Sequence, residues 1–366
     1  MSEPPVIARV TNGLGRLTLN RPAAINALTA EMVGLLRRTL AEWAESDTVR
    51  TVLIDGAGPR GLCAGGDLRA MHADAVSGGT GSLDFWAEEY RLNADIAAYP
   101  KPVVSWMDGL VMGGGIGVSA HAALRIVTER SRLAMPEVGI GFHPDVGGSW
   151  LLAHAPGEIG THLALTGGTI GAADALTAGL ADHFLPAGRL PDLIAALTAD
   201  GAVASAGGRS PVTSPAGSVT APMAEAVGGQ DAAHVVASLA ADPPPGVLGT
   251  ARGWIDECYA GDDVAMIIER LAGHPSPDAQ AAAKEIVTKS PMSLVVALRS
   301  VRSAARLPGL RAALDQEYRL SAALLRLPDL AEGIRAQIID KDRRPRWQPA
   351  SLAEVDPAVV EACFAG

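Results

Sequence analysis

Apolar and polar residues alternate through residues 6–20 on either side of Thr11-Asn12-Gly13, which predicts two short strands joined as a hairpin. The Asn-Gly pair supplies the positive φ angles of a tight turn. The period then changes. Met32, Leu36, Leu40 and Trp43 recur at helical spacing, Glu31, Arg37 and Glu45 fall on the other side, and Thr29 stands at the N-cap position. Strand-like runs return at 51–54, 103–106, 124–127 and 183–185, separated by helical or Gly-rich stretches. Such alternation predicts an α/β fold with right-handed layering. Residues 82–99 read as an amphipathic helix with Phe85, Leu92 and Ile96 in one stripe and Glu89 beside it. A carboxylate there is either a snorkelling surface group or one that faces a cleft.

Further along, residues 187–245 are rich in Ala, Gly, Ser and Pro and read as a connector or insertion. Helical periodicity resumes at 281–288, 294–305, 310–325 and 330–339, a helical C-terminal lobe. The organisation is therefore a layered core over 1–186, a connector and insertion over 187–277, and the lobe over 278–366.

Composition narrows the function. A chain of 366 residues with 48% hydrophobic and 19% charged residues excludes disorder and small disulfide scaffolds. The net charge of −10 argues against a nonspecific nucleic-acid binder, because counterion release needs a basic surface. Cys63, Cys258 and Cys363 lie far apart with no CxxC, so neither disulfide framework nor zinc site is expected, and a reducing cytosol fits. The N-terminal residues carry no targeting pattern and no run of about 18 apolar residues occurs, so a soluble cytoplasmic protein without membrane association is expected.

Three segments carry candidate chemistry. In Cys63-Ala64-Gly65-Gly66-Asp67 two glycines precede a helix capped by Asp67, and in Met112-Gly113-Gly114-Gly115 a strand gives way to another helix start. Both leave backbone N–H groups open to an oxygen anion, although tight packing alone also accounts for such glycines. The third, residues 134–148, sets Glu137 and Asp145 in an apolar, Gly/Pro-shaped loop. Such surroundings raise a carboxyl pKa and prepare it for acid/base work. The alternatives are an exposed loop acid for Glu137, a helix cap for Asp145 and a structural role for His143. HExxH, Walker A, GxSxG and metal-spaced His clusters are absent from the sequence.

Taken jointly, Asn20-Arg21-Pro22 with Asn26-Ala27-Leu28, Cys63 to Asp67, Lys101-Pro102-Val103, Met112 to Gly115 and Met135-Pro136-Glu137 resemble the crotonase (enoyl-CoA hydratase/isomerase) superfamily. Glu88-Glu89-Tyr90, Pro144-Asp145-Val146-Gly147-Gly148, Glu317-Tyr318-Arg319-Leu320-Ser321 and Asp340-Lys341-Asp342 look more narrowly like the 3-hydroxyisobutyryl-CoA hydrolase family. The resemblance implies a crotonase-like ββα spiral core with a helical C-terminal lobe. It implies an acyl-CoA substrate whose carbonyl lies between the N–H groups of Gly66 and Gly114. It implies hydrolysis of a short 3-hydroxyacyl thioester, as in valine catabolism, with Glu137 attacking the carbonyl or activating water. Asp145 then assists proton transfer or holds the 3-hydroxyl, and Glu89 contacts substrate. No metal and no cofactor beyond coenzyme A within the substrate are implied, and relatives suggest a homo-oligomer, a trimer or hexamer. Hydratases of the superfamily are expected to use two glutamates, and the first is matched here by Gly117. Enoyl-CoA hydration or isomerisation is the second reading. A non-enzymatic, RNA-binding relative is the third, against which the acidic balance and the retained Glu137 and Asp145 count.

Overall fold

The computed structural model describes residues 3–199 and 229–365. Its strands are β1 (Val6–Thr11), β2 (Gly13–Leu19), β3 (Val49–Gly56), β4 (Val103–Met107), β5 (Leu110–Met112), β6 (Leu124–Val127), β7 (Arg132–Ala134) and β8 (His183–Phe184). The expected hairpin forms, with Asn12 at φ 46° and Gly13 at φ 88° in its turn. From β2 the main sheet continues through β3, β4, β6 and β8, all parallel. The strands of its middle are buried on both faces, which is why they read as continuous apolar runs rather than as alternation.

A second, shorter layer gives the core its spiral. After β3 the chain reaches Cys63, which bridges Val111 of β5; β5 pairs in parallel with β7; Leu133 of β7 bridges Ile170. Each turn thus adds one strand to the main sheet and one short stretch to the second layer, with helical segments between.

The helices of the first half are α1 (Ala30–Glu45), α2 (Leu68–Ser77), α3 (Gly81–Ala97), α4 (Gly114–Gly117), α5 (Gly148–Ala153), α6 (Ile159–Thr166) and α7 (Ala172–Thr177). Thr29 caps α1 by accepting from Met32 N at 3.3 Å, and Asp67 caps α2 by accepting from Arg69 N at 3.2 Å, as their positions predict. Arg37 of α1 reaches Asp95 of α3 at 3.0 Å, fixing the two helices side by side.

The region expected as a connector holds more structure than its composition suggests. It contains α8 (Leu190–Thr198), α9 (Gly229–Leu239), α10 (Leu248–Cys258) and α11 (Val264–Gly273), while residues 200–228 lie outside those described. Leu193, Ala232 and Val236 of α8 and α9 pack on Leu14, Leu53, Val104, Trp106 and Ile126, covering the outer face of the main sheet. A parallel sheet needs that cover, and the Ala-rich sequence supplies it as helix rather than as linker. Then follow α12 (Pro277–Ile286), α13 (Pro291–Ala304), α14 (Leu310–Leu324), α15 (Pro328–Ile334) and α16 (Pro357–Ala365), close to the expected helices. In this lobe α14 packs along α3, α13 on α5 and α6, and α15 on α2.

One side chain ties the first loop of the spiral together. Asn26, fully buried at φ 54°, donates to the carbonyls of Ala57 (3.0 Å), Gly61 (3.1 Å) and Leu62 (3.0 Å), and its Oδ1 accepts from Arg21 N at 2.9 Å. Asn26→Ala is therefore expected to cost about 3 kcal/mol, because buried carbonyls lose their donor. Urea unfolding of variant and wild type checks this; a change below about 1 kcal/mol would mean that water substitutes for the amide.

Candidate active site

Four carboxyl groups meet where α3, α4, the segment after β7 and α14 converge. Glu89, Glu137, Asp145 and Glu317 are all buried, none more than 6% exposed. Glu89 is thus no border residue of α3. The inward face of that helix is Ser82, Trp86, Glu89, Tyr90 and Asn93, and Phe85 is only half-buried. The sheer packing around α3, with α1 on one side and α14 on the other, buries most of its circumference, so polar residues end up inside.

The glycines expected to matter surround these carboxyls. A Cβ placed on Gly114 would stand 2.5 Å from Glu89 Oε1 and 3.5 Å from the carbonyl carbon of Gly65, so the peptide leading into Gly66 abuts the start of α4. A Cβ on Gly113 would stand 3.0 Å from Glu137 Oε1. Any side chain at Gly114 would displace the Glu89 carboxyl or the Gly65–Gly66 loop. Neither Gly66 N nor Gly114 N is taken up by a hydrogen bond among the described residues.

The carboxyls differ in their support. Asp145 Oδ2 accepts from the hydroxyl of Tyr90 at 2.7 Å; the same hydroxyl lies 2.8 Å from Ser321 Oγ, which lies 3.1 Å from His143 Nε2. Asp145 is accordingly not the cap of α5. That place is taken by Glu317, whose two oxygens accept from Gly147 N (2.6 Å), Ser149 N (2.9 Å) and Ser149 Oγ (2.5 Å). His143 is structural, as one alternative held, its ring kept neutral by burial that lowers its pKa to about 3. Glu137 lies in a short 3-10 turn, Glu137–Ile140, and is buried rather than an exposed loop acid. Its Oε2 and Glu89 Oε1 have no hydrogen-bond partner.

Burial sets the electrostatics. It pushes Glu137 and Glu89 well above the ordinary carboxylate range, and the charge of Asp145 adds to both shifts. Asp145 rises to about 7, with the Tyr90 hydroxyl pulling it back. Glu317 rises to about 8, opposed by its bonds to Ser149 and Gly147. All four carboxyls thus hold their protons to higher pH than exposed ones do.

A cavity of about 280 Å³ opens one helical turn before Glu89, lined by Leu28, Asp67, Met71, Asp74, Ser82 and Phe85. Glu89, Glu137 and Asp145 do not line it; they are buried and follow it in sequence, from one helical turn after Phe85 onward. Gly117 offers no space: a Cβ there would meet Val146 Cβ at 2.7 Å and Asn93 Nδ2 at 2.8 Å. Among the described residues no group of three or more His, Cys, Asp or Glu is arranged to hold a metal ion.

Residues 14–364 match the family model described as enoyl-CoA hydratase/isomerase. The chain belongs to that family. Among curated relatives, the chicken (Gallus gallus) protein named 3-hydroxyisobutyryl-CoA hydrolase, mitochondrial, is 35% identical over 98% of this chain and 88% of its own length. Among solved structures, a carnitinyl-CoA dehydratase from Mycobacterium thermoresistibile superposes with a TM-score of 0.88 at 48% identity, covering 100% of this chain and 97% of that one. An enoyl-CoA hydratase from Rhodobacter sphaeroides 2.4.1 gives 0.85 at 41% identity, covering 99% and 97%. The crotonase fold expected from the motifs is thereby established, and the chain is a crotonase-family enzyme. The cytoplasmic expectation gains no support from a relative named mitochondrial; what the structure gives is that no described helix is long and apolar enough to cross a membrane.

Tyr90 and Ser321 entered the sequence reading only within family-like motifs, with no role assigned, and Asn93 did not enter it. The further signal for Tyr90 and Asn93 was their spacing from Trp86 and Glu89 on one helical face; Ser321, 176 positions after Asp145 by number, had its motif alone.

The raised carboxyls predict a pH dependence of stability. In the unfolded chain they titrate near ~4, whereas Asp145 holds its proton in the native state to about 7. Between those values the native protein binds more protons, so unfolding free energy falls as pH rises from ~4.5 to ~8. Urea unfolding across this range should show the decline, and the double variant Glu137→Gln, Asp145→Asn should flatten it; an unchanged slope would mean that these groups ionise normally when folded.

Proposed function

We propose that this enzyme hydrolyses a short-chain 3-hydroxyacyl-CoA thioester, 3-hydroxyisobutyryl-CoA being the substrate that the chicken relative's name suggests. The observation that carries the reading is the pairing of Glu137 with Asp145 beside two free N–H groups, while the Gly117 position is filled by Asn93 and Val146. Hydration needs a second acid–base group on the same water. Nothing can be placed for that role at Gly117 without moving both neighbours.

In this mechanism the thioester carbonyl oxygen lies between Gly66 N and Gly114 N. Those dipoles stabilise the negative charge that develops when the carbonyl carbon becomes tetrahedral, a contribution of about 3 kcal/mol per donor. Glu137 either attacks that carbon or takes a proton from a water that does. The carbon–sulfur bond then breaks and Asp145, in the form of the Glu137–Asp145 pair that holds its proton on Asp145, gives that proton to the departing thiolate. Tyr90 and Ser321 hold the Asp145 carboxyl in place for that transfer. The products are the free hydroxy acid and coenzyme A. If Glu137 is the nucleophile, water next opens the resulting anhydride and regenerates it.

Glu137→Gln should lower thiol release from 3-hydroxyisobutyryl-CoA by about two orders of magnitude or more, since an amide neither attacks nor accepts a proton. Near-normal rates would remove Glu137 from the mechanism. A single turnover in H₂¹⁸O tests the covalent route: label incorporated into Glu137 marks it as nucleophile, water having opened the anhydride at the Glu137 carbonyl.

Hydration remains the second reading because two superposable structures are titled a dehydratase and a hydratase. The enzyme is expected to hydrate crotonyl-CoA poorly, and Gly117→Glu is expected to lower Tm rather than create a hydratase, given the 2.7 Å approach of Val146. Efficient hydration by wild type, without release of thiol, would replace the hydrolase reading.

A further inference from the structure

Asn93 is completely buried on α3, and neither its Oδ1 nor its Nδ2 has a hydrogen-bond partner. A carboxamide is costly to bury in that condition, and a ligand that satisfies it removes the cost. Its place shows which part of a ligand that is. Phe85, Glu89 and Asn93 stand four residues apart and form one row along α3. Facing them are three glycines: a Cβ on Gly66 would lie 3.4 Å from the Phe85 ring, on Gly114 2.5 Å from Glu89 Oε1, and on Gly117 2.8 Å from Asn93 Nδ2. The cavity opens at the Phe85 step, which admits the thioester arm. Gly66 stands at the Phe85 step and Gly114 at the Glu89 step, so a carbonyl held by their two N–H groups would lie between the first two steps. Asn93 follows one helical turn, ~5 Å, past the Glu89 step, the reach of a substituent two carbons beyond a carbonyl.

We infer that Asn93 is a specificity-determining residue that reads the hydroxyl of a 3-hydroxyacyl chain. The chemistry fits that group better than its competitors. A hydroxyl donates once and accepts once, and a carboxamide offers the complementary acceptor and donor. A plain alkyl chain leaves both amide atoms unmet. A terminal carboxylate adds a negative charge beside Glu89, Glu137 and Asp145. Being uncharged, the amide recognises the hydroxyl whatever the protonation of the carboxyls around it. This inference rests on the proposed hydrolysis only for the identity of the acyl chain.

The experiment measures binding of two non-hydrolysable thioether analogues, of 3-hydroxyisobutyryl-CoA and of isobutyryl-CoA, to wild type, Asn93→Leu and Asn93→Ala, with thiol release from 3-hydroxyisobutyryl-CoA recorded in parallel. Wild type should prefer the hydroxylated analogue by about 10- to 100-fold. Asn93→Leu, similar in volume, should reduce that preference to within about threefold while binding the isobutyryl analogue at least as tightly as wild type does. Asn93→Ala gives the same reading should the leucine variant fail to fold. A preference that survives both substitutions, an equal loss on both analogues, or no preference in wild type overturns the assignment and leaves Asn93 as packing against Gly117 and Val146. Wild type that shows the preference but releases no thiol overturns the hydrolase reading and leaves the assignment standing.

Discussion

The constraint on which this molecule turns is the cost of keeping four carboxyl groups out of water in one place. Desolvation is the largest influence on Glu89, Glu137, Asp145 and Glu317 alike, and the charge of Asp145 pushes the other three in the same direction. The fold meets this cost unevenly. Glu317 receives three donors from the start of α5 and Asp145 receives one from Tyr90, but one oxygen each of Glu89 and Glu137 receives none. Glu317 and Asp145 are thereby anchored, while Glu89 and Glu137 each keep an oxygen unmet. A buried cluster of this kind persists because the surrounding layers are closely packed and over-determine it.

Much of the fold was legible because its signals are local. The hairpin needs only Asn12-Gly13 and the alternation on either side, and α1 needs only Thr29 and its apolar row. The connector misled because Ala, Gly and Ser are read as linker when no apolar stripe is evident, yet Leu193 and Val236 bring α8 and α9 onto the sheet. What decided the matter was the uncovered outer face of a parallel sheet, a tertiary demand that no window of sequence contains.

Within the site, Glu137 and Asp145 were visible as carboxylates in an apolar, glycine-shaped segment, beside the readings of loop acid and helix cap that their burial and the bonds of Glu317 exclude, and the glycines stood out because three in a row at a helix start are costly. Glu89 was visible as a residue, but its surroundings were misjudged, since a single helix cannot report that α1 and α14 enclose it. Asn93 was missed for a related reason. An asparagine inside a helix is ordinarily solvated, and only the neighbouring Gly117, read as a lost carboxylate, hinted that something else occupies that volume.

The chain of hydroxyls from Asp145 through Tyr90 to Ser321, with Glu317 gripping the following loop, sets an order of events in biosynthesis. Every backbone segment that touches substrate in the proposed mechanism lies within the first 148 residues, while the side chains that immobilise Tyr90 and Gly147 come at positions 321 and 317. A nascent chain therefore carries a complete set of reactive groups long before it can aim them. Those groups reach their places only when α14 packs on α3, so a helix from the far end of the chain completes a cluster whose other members lie in its first half.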